Sequence, residues 1–286
     1  MKKPIFSGHE SFRCKTHWLK RGYDFLVRGN NFSNEDAVIS LGVGKNMVSS
    51  IKYWMKAFGL LDAKNNTIRE ITHYLLDSEN GKDPYIEDLG TLWLLHFLLV
   101  FEDHSTLYKK IFVEYHRQRN DISKSKLRNF IKASCYNENY NIKYYNESTL
   151  KKDIDVFIQN YCGVGKESVE EQNILLLPLH LIRQGVEKDT WVFNYINHNS
   201  IPAEIFLYSI ISSMEQNSLS VPYELLQELA LIFCLNNNEL IKMIFDVCSL
   251  YPDEIIFSDN AGIKELQFRK TISVKEVLNR YYQQRI

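Results

Sequence analysis

Gly8-His9-Glu10-Ser11-Phe12 sets an imidazole beside a carboxylate near the start of the chain. A histidine can shuttle a proton and a carboxylate can hold a metal ion or a water, which are the two demands of phosphodiester hydrolysis. A purely structural role explains the same residues more simply. Ser7 or Ser11 would cap a helix, Glu10 would favour its positive end, and His9 would make one backbone bond. Lys151-Lys152-Asp153-Ile154-Asp155 offers two carboxylates two positions apart. On a helix they point in different directions and cannot clamp one metal together, so Asp153 also reads as a partner of the helix dipole. His9, Glu10 and Asp153 are the catalytic candidates. Gly42-Val43-Gly44-Lys45-Asn46 is only superficially a phosphate-binding loop. Ile39 stands where its first glycine would fall, Asn46 where its Ser/Thr would, and a helix precedes it instead of a strand. His96, His104 and His180 are isolated, and no nucleophilic triad can be argued.

Binding chemistry is better supported. The helix beginning near Lys45 offers Lys45, Asn46, Ser49, Ser50 and Lys52 away from its apolar stripe of Met47, Val48, Ile51, Trp54 and Met55. Cations and small polar side chains at a helix start suit phosphate and base-edge contact. Arg13, Lys15 and Lys20, with His9 and Arg21, extend that electrostatic footprint.

Those residues need elements to hold them. The spacing of Phe12, Trp18, Leu19, Tyr23 and Leu26 predicts a helix over 12–27, ended by Gly29-Asn30-Asn31. Ser33 is the expected cap of a short helix to Leu41, followed by a glycine turn and the helix from Lys45 to Phe58. Thr67 to Thr72 has β character after an Asn65-Asn66 turn, so a hairpin should follow. Three helices and a hairpin make a winged helix-turn-helix. Helices are then expected over 85–101, from Ser105, over 123–134 and over 149–161, with loops at 137–146 and 163–172. A strand is expected at 191–195. Three more helices (202–214, 222–234, 238–248) and two strands joined by Asp259-Asn260-Ala261-Gly262 suggest a second winged-helix-like unit. The fold class expected is mainly α with small β wings. Its domains would be a winged helix-turn-helix at 1–80, a helical middle domain at 81–165, and a C-terminal helical domain with a β-hairpin at 166–286.

Composition narrows the function classes. The 286 residues are 45% hydrophobic and 24% charged, enough for a packed core. The net charge of −1 hides segregation: residues 1–60 carry ten Lys/Arg against four Asp/Glu, and 105–152 carry eleven against four, whereas 61–104 and 153–286 are acidic. Basic blocks backed by an acidic body suit a polyanion. Five cysteines without a CxxC pair argue against a disulfide framework or zinc ribbon, so a reducing cytoplasm is expected. The first residues lack the apolar run of a signal peptide, and the longest apolar stretch, 92–101, is too short for a membrane span.

The run Leu41-Gly42-Val43-Gly44-Lys45-Asn46-Met47-Val48, followed by Ser50-Ile51-Lys52-Tyr53-Trp54, resembles a bacterial family catalogued as domain of unknown function 4007. Gly8 to Phe12 with Trp18-Leu19, the helix Leu150 to Phe157, and Asp259 to Gly262 are similar to its other landmarks. The resemblance implies the SspB-like component of DNA phosphorothioation systems. Such a protein binds double-stranded DNA and nicks one strand so that sulfur can enter, as part of a phage defence. Its partners would be a cysteine desulfurase, an ATP-dependent sulfur-transfer enzyme and an ATPase. No cofactor is evident in the residues; Mg²⁺ or Mn²⁺ would serve nicking. The resemblance assigns no catalytic residue. A winged-helix transcription regulator and a scaffold subunit of a modification complex are the alternatives.

Overall fold

The structure, a computed structural model, describes residues 5–102, 104–137, 146–163, 173–195, 200–260 and 262–284. The loops expected at 137–146 and 163–172 lie, apart from residues 137, 146 and 163, outside the described residues, as does Ala261 of the expected hairpin turn. The chain is mainly helical with two small antiparallel sheets, and it divides into two compact units, residues 1–194 and 195–286.

The first unit opens with α1 (Trp18–Val27), α2 (Ala37–Leu41) and α3 (Lys45–Ala57). Ser33 does not cap α2; its own backbone N–H donates to Asn31 Oδ1 at 2.9 Å instead, and the helix begins four residues later, at Ala37. Gly42 ends α2 at φ +58°, a left-handed conformation that costs a residue with a Cβ about 1–2 kcal/mol. Its N–H bonds Ile39 O, and Val43 N–H bonds Val38 O, so the last carbonyls of α2 are met before α3 starts. The core side of α3 is Val48, Ile51, Trp54 and Met55, all buried.

The hairpin expected after α3 reduces to one bridge between Leu61 and Ile68, and residues Glu70–Leu76 form α4. Helical spacing prevails there over the β propensity of Ile68, Ile71 and Thr72. Thr72, Leu75 and Leu76 fall on one buried face, and the Thr72 hydroxyl donates to Leu60 O.

The core of this unit is α5 (Leu89–Phe101), whose residues 90–100 are all buried and whose start is capped by Asp88 accepting from Thr91 N–H at 2.9 Å. A helix apolar all round has to be surrounded. Among its surroundings are α6 (Thr106–Lys109), continued as a π-helical turn over Lys110–Tyr115, and α8 (Glu147–Tyr161). Their rings interlock: Phe112 lies 4.7 Å from His96 and 5.1 Å from Tyr161, while Phe157 lies 5.4 Å from Tyr108. His96 Nδ1 meets the Tyr161 hydroxyl at 2.8 Å, which settles that buried histidine as a core group. Strands β1 (Asp121–Ser123), β2 (Ile182–Gln184) and β3 (Thr190–Phe193) form a sheet in the order β1-β3-β2, and α7 (Lys124–Asn137) follows β1.

The second unit runs α9 (Ala203–Ser213), β4 (Ser220–Pro222), α10 (Tyr223–Ile232), α11 (Asn237–Leu250), β5 (Ile255–Asn260), β6 (Ile263–Phe268) and α12 (Val274–Gln283). The expected three helices and hairpin are there. The short strand β4 adds to the hairpin, giving the order β4-β6-β5, and α12 packs back on α9. Asn236 and Glu239 close a reciprocal capping box at the start of α11.

Candidate nucleic-acid interface

Lys45, Asn46 and Ser49 are exposed on the first turns of α3, and Lys52 and Lys56 continue the same stripe half-buried. Positions 45, 49, 52 and 56 recur at helical spacing, so the side chains form one row. No side chain caps this helix start, where Gly44 is the extended residue before Lys45. Two groups on this part of the molecule are shifted first by burial and then by neighbouring cations. Lys56 is held below the usual lysine range, first by burial and then by the charge of Lys52. His17 is held below 6.5 by burial, then by Arg21, then by Lys15.

Two of the expected contacts face elsewhere. Ser50 is fully buried, because the helix turns it to the core side beside Ile51 and Trp54, and its hydroxyl has no hydrogen-bond partner. Lys20 is buried with its ammonium on Asp24 at 2.5 Å and Ser78 at 2.7 Å, so its charge is engaged within the fold. Arg13 and Lys15 are half-buried ahead of α1.

His9 and Asp153, 144 positions apart, come together. His9 Nε2 lies 2.9 Å from Asp153 Oδ1, and both residues are buried. His9 Nδ1 accepts from Ser11 N–H at 3.1 Å, which places the ring proton on Nε2, facing the carboxylate. The approach is close but off the line of a good hydrogen bond, since Oδ1 has no aligned donor. Oδ2 accepts from Ser7 N–H at 2.9 Å. The imidazole stacks on Trp54 at 6.0 Å and meets Tyr53 edge-on at 5.5 Å. Gly8, at φ +114°, brings the backbone so near Tyr53 that a Cβ would sit 2.5 Å from its ring. These contacts pin the N-terminal segment against α3 and α8. Glu10 is exposed and outside that pair.

Sequence reasoning missed a cleft of about 470 Å³ lined by Arg21, Asp24, Phe25, Arg28, Asn30, Ser40 and Leu41. Arg21, Asp24, Phe25 and Arg28 recur at three, four and seven positions along α1. That one-face spacing could have revealed it.

Among the described residues no three His, Cys, Asp or Glu side chains group so as to hold a metal ion. No helix among the described residues is long and apolar enough to cross a membrane.

Two solved structures superpose on the chain. The structure described as magnesium ion-bound SspB has a TM-score of 0.83 at 24% identity, covering 98% of this chain and 88% of that one. The structure described as SspB has a TM-score of 0.80 at the same identity and coverage. The fold is therefore shared. No curated protein matches the chain. The family described as "Protein of unknown function (DUF4007)" matches residues 6–282, and since that is nearly the whole length, the chain belongs to this family.

Proposed function

We propose that the chain is the DNA-engaging component of a phosphorothioation and defence complex, and that α3 lies against a duplex as the second helix of a helix-turn-helix. The supporting observation is the exposed row that Lys45, Asn46 and Ser49 begin and Lys52 continues, on an uncapped helix start that follows the Gly42 turn. Free N–H groups and cations there meet phosphate oxygens, and the short polar side chains reach base edges. The wing in this reading is minimal, a single bridge between Leu61 and Ile68. The second unit is read as winged-helix-like from its helix–strand–helix–helix–strand–strand order. Its desulfurase, sulfur-transfer and ATPase partners follow from the likeness to SspB alone.

Duplex affinity measured across a salt series tests the binding. Affinity should fall steeply with salt, and a Lys45→Ala/Lys52→Ala pair should lower the slope by about two while weakening all sequences alike. Unchanged affinity and slope would remove α3 from the interface. Protection of one discrete operator would favour a transcription regulator instead. Salt-insensitive or absent affinity would favour a scaffold. Nicking is tested separately: open-circular product from supercoiled plasmid with Mg²⁺ or Mn²⁺ supports it, and none under either ion leaves a binding component.

A further inference from the structure

The cleft between α1 and α2 is built to offer donors. Arg21 and Arg28 are both exposed and lie two helical turns apart on the same face of α1. Arg21 is oriented: one Nη2 donates to Leu41 O at 2.5 Å, the carbonyl at the end of α2. Its guanidinium is also close to the turn into α3, since a Cβ on Gly42 would lie 3.6 Å from Nη2. The planar fork leaves further N–H groups on Arg21 for a ligand.

Two backbone acceptors beside the cleft, and one carboxylate oxygen, are already met. Asn30 Nδ2 donates to Phe25 O at 3.1 Å, covering a carbonyl at the end of α1, and Arg21 covers Leu41 O. The one carboxylate in the lining, Asp24, has Lys20 Nζ 2.5 Å from Oδ1. Arg28 makes no side-chain hydrogen bond or ion pair among the described residues. What remains to meet a ligand is two guanidinium groups and the Ser40 hydroxyl, with Asp24 Oδ2 and Asn30 Oδ1 as the remaining acceptors, over an apolar floor of Phe25 and Leu41; the two cations outweigh the single carboxylate, which Lys20 already pairs. That set matches a phosphate group: planar forks take its oxygens in pairs and a hydroxyl takes a third.

From this we infer that the cleft is a phosphate-binding site, and that its occupant is a backbone phosphate of the duplex that α3 addresses. The inference rests on the proposed DNA contact for the source of the phosphate, but not for the site itself. Geometry connects the two, because Arg21 holds the last carbonyl of α2 and stands beside the glycine that turns the chain into α3. A phosphate seated there would fix how far α3 enters the groove, as backbone contacts set register without reading sequence.

Arg28→Ala is the informative variant, since the side chain is exposed and unengaged, and an unchanged thermal midpoint will confirm that the fold is intact. Duplex affinity should fall on the order of three- to tenfold for every sequence, with the salt slope lowered by about one. Arg28→Lys should restore the slope. The Lys45→Ala/Lys52→Ala pair is measured alongside. If that pair weakens binding while Arg28→Ala leaves affinity and slope at wild-type values, the cleft is overturned and the α3 reading stands. If wild-type protein shows no salt-sensitive duplex binding, the α3 reading fails, and inorganic phosphate titrated against ¹⁵N-labelled arginine side chains decides the cleft. Shifts at Arg21 and Arg28 would retain a site for a free phosphate compound, and their absence would overturn it.

Discussion

Asp153 is the residue on which the structural and catalytic readings of the N-terminal motif divide. Its carboxylate faces the His9 ring and accepts the Ser7 N–H, out of reach of solvent. Such a pair reads as a pin on the chain entering α1. Asp153→Ala should leave the Ser7 N–H without an acceptor and take the carboxylate from beside the His9 ring, and urea denaturation should show a loss of about 1–3 kcal/mol. A variant with wild-type stability but no nicking would instead place the carboxylate in the chemistry. His104 supplies a second check at this scale. Burial first, and the Lys56 charge second, push its pKa down to about 4, and its Nδ1 has no hydrogen-bond partner. The folded chain then keeps this ring neutral where the unfolded chain takes a proton near pH 6.5. The stability is fully present above 6.5 and is lost as pH falls toward 4. Urea midpoints should drop between pH 7 and pH 5, and drop less in His104→Gln. An identical pH dependence in the variant would contradict the assignment.

Among the elements, those with long apolar periodicity were legible in the sequence. The helices expected over 45–58, 149–161 and 202–214 form within a few residues of those limits, and the two strands expected around 259–262 pair, with Asp259 and Asn260 belonging to β5 and not to the turn. The region after α3 departs from its local pattern: Thr67 to Thr72 favours a strand locally, whereas burial of Thr72, Leu75 and Leu76 against the fold favours a helix. The three-residue strands β1 and β4 carry too little pattern to be seen before their partners are known. The first helix starts at Trp18, six residues after the Phe12 that its apolar spacing predicts. Residues 12–15 are instead drawn out beside the segment at 173–175, where Leu175 N–H donates to Cys14 O and Thr16 N–H to Asn173 O. The α3 row was legible apart from Ser50, which the helix rotation takes inward; among the cations expected on and ahead of α1, Lys20 differs because its charge is held by Asp24. The meeting of His9 with Asp153 was not legible, since no local spacing links residues 144 positions apart.

For the whole molecule, the charge segregation of the sequence acquires a physical meaning in the first unit. Cations on α3 and around the α1–α2 cleft share one compact body with the apolar helix α5 and its aromatic surroundings. A packed interior of that kind resists deformation and presents surface side chains in fixed positions, which a backbone contact requires. The most direct test of the account is hydrogen exchange across the full chain with and without a short duplex at low salt. The account predicts slowed exchange in residues 44–52, at the exposed start of α3, while α5 is unchanged. Wild-type exchange at 44–52 in the duplex-bound protein, with protection confined to other segments, would contradict it.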